Sequence, residues 1–416
     1  MPSSPVLRAQ VCSRESWLRR VGILSLLGRH PALRRLWIGA MISGLGDTFT
    51  WMALTWYLVE RTKSGAAVGT MLLCFSLPTV FTGALIGKWL DQRQPRPLMI
   101  VDNLARAVLI ALIPLLDRLG WLPLTAVYVI SALMGALSPA TRVGTRLLTP
   151  FLVKDDELEG ANAALGLTEQ LPGVIGPALA GVAIAAWGAP QTLLLDAISF
   201  LALIGAIATM PNIAREAPQD DAPKTWTILR RYPMAALVTI LSFVFFFAYG
   251  PTEAALPMFV KEHLHSDAAG MGMLWSAVGI GGTLGSFSTG WLARYPAGRT
   301  MACIALLWGL FQLGMAFAPS LGYAIAAFFF GGIVWGPYLA IETSFLQRTV
   351  DKSEHGTFFG VHTALLAPSM PLGAALGGAL LLRISPQQVL LSVALACLLG
   401  GVIALCIPGL RQREVR

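Results

Sequence analysis

Six carboxylates stand inside long apolar stretches of this 416-residue chain: Asp47, Asp102, Glu169, Asp196, Glu253 and Glu342. If those stretches cross a bilayer, an ionised acid at mid-depth costs ~2.5–3.5 kcal/mol, so each must face a water-filled cavity or a partner. A carboxylate so placed can take up and release a proton, which makes Asp47, Glu169, Glu253 and Glu342 the proton-coupling candidates. Asp196 follows a short loop and reads as an interfacial residue. Asp102 and Arg106 are four residues apart, the spacing of an intrahelical ion pair, and are read as a structural pair that neutralises itself.

Aromatic residues accompany three of these acids. Trp51 lies four residues after Asp47, Tyr249 four before Glu253, and Tyr338 four before Glu342, with Trp335 one turn earlier. An acid and an aromatic ring on one helix face suit a cationic or amphiphilic ligand, through charge and cation–π attraction. Trp51, Tyr249, Trp335 and Tyr338 are therefore the substrate-cavity candidates. The plainer reading makes them interfacial aromatics, with the acids near the ends of their spans. The five cysteines and five histidines are scattered, without CxxC spacing or Cys/His clusters, so neither a metal nor another cofactor is expected. No grouped Ser/His/Asp set is present, which argues against an enzyme.

The elements that must position these residues follow from composition. The chain is 55% hydrophobic and 12% charged, against about 25% charged in soluble domains, and its mean hydropathy is +0.67. No polar stretch is long enough for a soluble catalytic domain. Apolar runs fall at 35–59, 67–90, 98–116, 121–140, 161–187, 190–210, 235–260, 269–292, 301–318, 321–345, 357–382 and 386–408. They predict an all-α membrane protein with 12 transmembrane helices, because an open sheet cannot satisfy its backbone in lipid. Runs such as 201–210 lack the alternation of a barrel strand. The first 33 residues are basic, and the apolar run Val21–Leu27 is too short to span, so this segment reads as amphipathic and cytoplasmic.

Orientation follows from the 30 Lys and Arg residues. With the N-terminus in the cytoplasm, only Arg61, Lys63, Arg118, Lys261 and Arg383 fall in outer loops, and Arg106 lies within a span. All the others fall inside, which places both termini in the cytoplasm. The net charge of +8 then answers anionic inner-leaflet lipid, and no nucleic acid need be invoked. The chain also repeats itself. A shift of 202 residues superposes 50–90 on 252–292 and pairs Glu60 with Glu262, Ser64 with Ser266, Gly83 with Gly285 and Trp89 with Trp291. Two pseudo-symmetric six-helix bundles result, at 34–210 and 235–408. They are flanked by the segment 1–33 and the tail 409–416, and joined by a polar linker at 211–234. Parallel halves of this kind belong to transporters that rock around a midplane site.

Two further motifs carry a family resemblance. The segment Gly87-Lys-Trp-Leu-Asp91-Gln-Arg93-Gln-Pro-Arg96 resembles the loop motif G-x-L-A-D-R-x-G-R-R of the major facilitator superfamily, with Gly87, Asp91 and Arg96 in register. The stretch Gly173-Val-Ile-Gly176-Pro177-Ala-Leu-Ala-Gly181 is similar to that superfamily's antiporter motif, and Leu36-Trp37…Ser43-Gly44-Leu45-Gly46-Asp47 looks like the opening of its drug, macrolide and siderophore exporter branch. The resemblance implies a central cavity lined by spans 1, 4, 7 and 10, a cytoplasmic gate at Gly87, Asp91, Arg93 and Arg96, and close helix packing at Gly173, Gly176, Pro177 and Gly181. It implies export of small amphiphilic compounds by proton antiport, from a monomer in the bacterial cytoplasmic membrane. An uptake symporter or facilitator on the same fold, or a flippase-like lipid handler, is the alternative.

Overall fold

A computed structural model describes residues 22–92, 94–211 and 227–407. Among these residues there are helices and connections and no strand. Ten helical stretches are long and apolar enough to cross a membrane, with mean hydropathy from 1.3 to 2.7. The first half opens with a short helix α1 (Ile23–Arg29), followed by α2 (Pro31–Thr62), α3 (Gly65–Gln92) and α4 (Pro95–Arg118). Helix α5 (Leu124–Leu137) runs into α6 (Pro139–Leu148), and α7 (Leu158–Trp187) and α8 (Ala189–Ala208) complete the bundle. In the second half α9 (Thr227–Arg231) precedes α10 (Pro233–Tyr249), which continues as α11 (Pro251–Glu262). Then come α12 (Ala268–Ser286), α13 (Thr289–Leu292), α14 (Ala297–Ala316), α15 (Leu321–Trp335) with α16 (Tyr338–Thr349), α17 (His355–Leu366) with α18 (Ser369–Leu380), and α19 (Pro386–Cys406).

Helices α2 and α12 are long but fall outside the ten apolar stretches. Charged residues at Arg34, Arg35, Asp47, Glu60 and Arg61 interrupt α2, and α12 is rich in glycine. At 32 residues, α2 is ~48 Å long, more than a bilayer core requires. Proline sets much of the punctuation. It opens α2, α4, α10 and α19 at the first turn, where no backbone N–H is needed. It also divides spans in two, at Pro139 and Pro251 and around Pro337 and Pro368, because the ring clashes with the preceding turn. The α7–α8 corner turns on Gly188, whose φ of 86° suits only glycine.

The two halves meet along α7 with α12 and along α3 with α18. Small residues let these backbones touch: a Cβ on Gly272 would lie 2.2 Å from the Pro177 carbonyl oxygen, and one on Gly181 would lie 2.5 Å from that of Ala268. The backbone N–H of Ala178 donates to Ser276 Oγ at 3.0 Å across the same seam. Beyond this seam, one apolar cluster closes the end of the molecule where α2 finishes. It joins Leu54, Leu58 and Val59 of α2 and Ile184 of α7 to Leu256, Phe259 and Val260 of α11 and Met271 and Leu274 of α12. At the opposite end the cores are separate. Leu26, Leu33, Leu36, Met99 and Leu148 pack within the first half, and Ile228, Val238, Ile304, Leu346 and Phe358 within the second. The halves are sealed together at one end and parted at the other.

The outer faces are apolar, with Leu115, Val129, Val182, Ile198, Leu310 and Leu399 exposed. That surface fits lipid and would aggregate in water. Of the expected segments, residues 1–21, 212–226 and 408–416 and Arg93 lie outside the described residues.

Candidate functional site

Between the parted ends lies a cavity of about 1020 Å³, large enough for a drug-sized molecule. Its wall comes mostly from the first half: Ser43, Asp47 and Trp51 of α2, Arg106 of α4, Arg142 and Arg146 of α6, and Asn162 and Glu169 of α7. The second half adds Trp275, Val278 and Gly279 of α12. Trp51 and Trp275 meet edge to face with ring centroids 5.2 Å apart, so an aromatic pair bridges the halves at the cavity's floor, next to the sealed end.

Asp47 faces this space, and its charge is already answered. Arg106 Nη2 donates to Asp47 Oδ1 at 2.5 Å, from a side chain that is 5% exposed to a carboxylate that is 49% exposed. The guanidinium also lies over the Phe200 ring, 4.2 Å from its centroid. This corrects the expected pairing of Arg106 with Asp102. Asp102 is buried and accepts from Thr141 Oγ1 at 2.5 Å, and the same hydroxyl accepts from Asn103 Nδ2 at 2.6 Å. The short aspartate is held by α6, whereas the long arginine reaches across to α2. Helical spacing fixed the face but not the partner.

Asp196, which the sequence places near the interface, is fully buried between α8 and α2. Thr50 Oγ1 donates to its Oδ2 at 2.5 Å and Ser199 Oγ to its Oδ1 at 2.8 Å. Gly46 leaves the room it needs, since a Cβ there would lie 2.2 Å from Asp196 Oδ1. The available signal was the aspartate's position within the apolar run of α8. Glu169 lines the cavity 3.7 Å from Arg146 Nη2, both side chains being mostly exposed. Such a pair is weak in water.

The second half departs from expectation. Tyr249, Trp335 and Tyr338 do not line the cavity; they pack in the core of their own bundle. Tyr249 meets Trp308 at 5.5 Å, Trp335 stacks on Tyr338 at 4.7 Å, and Phe245 stacks on both. The break at Pro337 and this stacking turn the rings inward. Glu253, at the start of α11, is also buried. Glu342 is 2% exposed and accepts from Ser242 Oγ at 2.5 Å, while Tyr338 Oη lies 2.9 Å from the same hydroxyl. His362 Nε2 stands 3.8 Å from Glu342 Oε1, and its Nδ1 is 3.0 Å from Thr239 Oγ1. Thr239 donates its own proton to the Ala235 carbonyl, so Nδ1–H donates to Thr239 and Nε2 is left facing the acid.

Among the motif residues, Gly176 packs on Thr48 of α2, Gly181 and Pro177 form the α7–α12 seam, and Gly173 is open to the cavity. Gly87 and Asp91 are on the last turns of α3, and their side-chain surroundings lie outside the described residues, as does Arg93. Arg96 donates to the carbonyls of Met210 (3.0 Å) and Ala208 (2.5 Å), binding the end of α8 within its own half. Arg142, Arg146, Asn162, Trp275 and His362 are additions from the structure. The apolar run ends at residue 140, which assigns the two arginines to a loop. The helix instead continues to Leu148 and carries them along the cavity wall.

An all-helical membrane bundle in two parted halves around one cavity defines a transporter of the major facilitator superfamily. The family model described as transmembrane secretion effector matches residues 26–415, and the chain belongs to that family. It is 25% identical over 403 residues to the multidrug efflux pump Tap of Mycolicibacterium fortuitum, covering 93% of this chain and 98% of that one. Among solved structures, a point mutant of the nucleoside transporter NupG superposes with a TM-score of 0.74 at 16% identity, covering 90% of this chain and 99% of that one. A bacterial homologue of the iron transporter ferroportin in its inward-facing state gives 0.71 at 17% identity, covering 90% and 98%. These two likenesses are of fold.

Proposed function

We propose that this protein is a monomeric exporter of small amphiphilic compounds in the bacterial cytoplasmic membrane, working by alternating access with proton antiport. One observation carries the reading: the cavity opens toward the end that bears the described chain ends and most of the basic residues, and is sealed at the other. With basic loops in the cytoplasm, the cavity in this state is open to the inside, the side from which an exporter must load. The efflux pump Tap, similar over almost its whole length, supports the direction.

In this mechanism the apolar and aromatic floor at Trp51 and Trp275 takes the substrate's hydrophobic body. Opening the sealed end separates Leu54–Val59 from Leu256–Val260 and releases the substrate outside. Proton entry resets the cycle through carboxylates that change partners between states. Asp47 is the nearest of them, being exposed to the cavity and held by Arg106. Glu342, with His362 Nε2 3.8 Å from its Oε1, offers a second site deep in the other half. Glu169 and Glu253 remain candidates, and Asp91 with Arg96 would hold the termini-bearing end closed in the outward-facing state.

The test is uptake of fluorescent amphiphiles, cationic rhodamine 123 and anionic pyrenebutyrate, into everted vesicles with an imposed acidic interior. Accumulation that a protonophore and Asp47→Asn both abolish supports proton-driven export. Accumulation indifferent to the protonophore removes proton coupling and leaves export. Uptake only into right-side-out vesicles overturns export in favour of import.

A further inference from the structure

The basic residues on the cavity wall outnumber what its acids can neutralise. Arg106 is engaged by Asp47, and Arg146 stands 3.7 Å from Glu169. Arg142 lies one turn before Arg146 on α6, is exposed on the same wall, and makes no hydrogen bond or ion pair among the described residues. Two further acids within the spans of this half, Asp102 and Asp196, are buried behind the wall and held by Thr141 and by Thr50 and Ser199. They present no free carboxylate to a ligand.

A basic residue that serves only to anchor a loop in lipid headgroups points outward, to the bilayer. Arg142 and Arg146 line the space between the halves. Their placement on the wall is also confined to the first half: the second half lines the cavity with Trp275, Val278 and Gly279, none of them basic. The cavity is therefore polarised, with an aromatic floor at Trp51–Trp275 and a basic stretch nearer the open end.

We propose that Arg142, with Arg146 beside it, is the subsite for an acidic group of the substrate, so that the transported compounds are amphiphiles bearing a carboxylate or a comparable anion. The guanidinium fork is suited to bidentate binding of such a group, while the apolar body reaches the tryptophan pair. The Arg106–Asp47 bond removes the cation attraction that the sequence assigned to Asp47. This proposal deepens the export reading and rests on it only for the direction of movement.

The experiment measures equilibrium binding to the purified protein in nanodiscs, without a gradient, by quenching of tryptophan fluorescence. Three probes share one scaffold: pyrenebutyrate, its methyl ester and pyrenebutyltrimethylammonium. A charge-assisted contact predicts that the carboxylate binds ~10-fold more tightly than the ester. In Arg142→Gln/Arg146→Gln the carboxylate's advantage falls to within about twofold, whereas Arg142→Lys retains part of it. An unchanged ester affinity in each variant reports that it is folded. Equal or absent carboxylate binding in the wild type, tightest binding of the trimethylammonium probe, or an undiminished preference in the double variant each overturns the proposal. Discs of phosphatidylcholine and of phosphatidylglycerol are compared. If the preference vanishes in the anionic discs, the arginines hold a lipid headgroup, and the substrate assignment is overturned. Because no transport is measured, failure of the vesicle assay with this preference intact sinks export alone.

Discussion

Arg106 of α4 holds Asp47 of α2 at 2.5 Å, and of the two side chains it is the arginine that is buried and the aspartate that faces the cavity. The charge that can be reached from water is therefore the acid, while the cation is stabilised by an ion pair and the Phe200 ring. Such an arrangement ties a cavity-facing carboxylate to the packing of two helices.

A double-mutant cycle tests which acid Arg106 serves. Asp47→Asn combined with Arg106→Gln is expected to show a coupling of about 1–3 kcal/mol in thermal unfolding of the detergent-solubilised protein. Asp102→Asn combined with Arg106→Gln should show distinctly less, because Asp102 is bonded by Thr141. Equal coupling for both acids would restore the intrahelical pair.

Two glycines of the first half should respond in opposite directions. Gly46→Ala drives a methyl into Asp196 and Ser199, each with an oxygen 2.2 Å from the new Cβ, and should cost about 1–3 kcal/mol. Gly173→Ala meets nothing within 4 Å and should be neutral or stabilising by up to ~1 kcal/mol, since alanine is the better helix former. Parallel melting curves would show the contrast.

Gly181→Val places a branched side chain against the Ala268 backbone in the seam between the halves. The protein is expected to insert normally but to lose the sealed end, shifting toward the opposite conformation. A single cysteine at Thr48, in a background without the native cysteines, should then label more slowly from the termini side and faster from the other with an impermeant maleimide. Unchanged labelling from both sides would mean that the seam does not control access.

At the termini-bearing end, Tyr232 lies 2.5 Å from Glu354 Oε2 and 2.8 Å from Asp351 Oδ2. The bond to Glu354, with some burial and Asp351 besides, pushes the phenol up to about 12, against about 10 in an unfolded chain. A raised pKa stabilises the protonated form, so this contribution is complete below pH ~10 and is lost as the pH rises toward 12. Tyr232→Phe should lower the melting temperature at neutral pH, where the contact is intact, and flatten the alkaline fall so that the two proteins converge toward pH 12. An identical alkaline slope in both proteins would show that the contact adds nothing.

The sequence alone determined the class of this protein. Hydropathy and the sided distribution of Lys and Arg follow from the bilayer, which acts on every residue locally, and the internal repeat is legible in the residues themselves. That is why the helical membrane fold, the family resemblance and the cavity position of Asp47 and Trp51 could be read from the chain. What lay beyond local reading was which residues meet. The partner of Arg106, the burial of Asp196 and the withdrawal of Tyr249, Trp335 and Tyr338 into the second bundle depend on contacts between residues up to about 150 positions apart. Two arginines counted as a loop became the wall of a cavity because α6 continues past the last apolar residue, held by Thr141 and Leu148 against its neighbours. Tertiary packing decided the site, since a side chain's charge is set by its residue type but its counter-charge only by what the fold brings beside it.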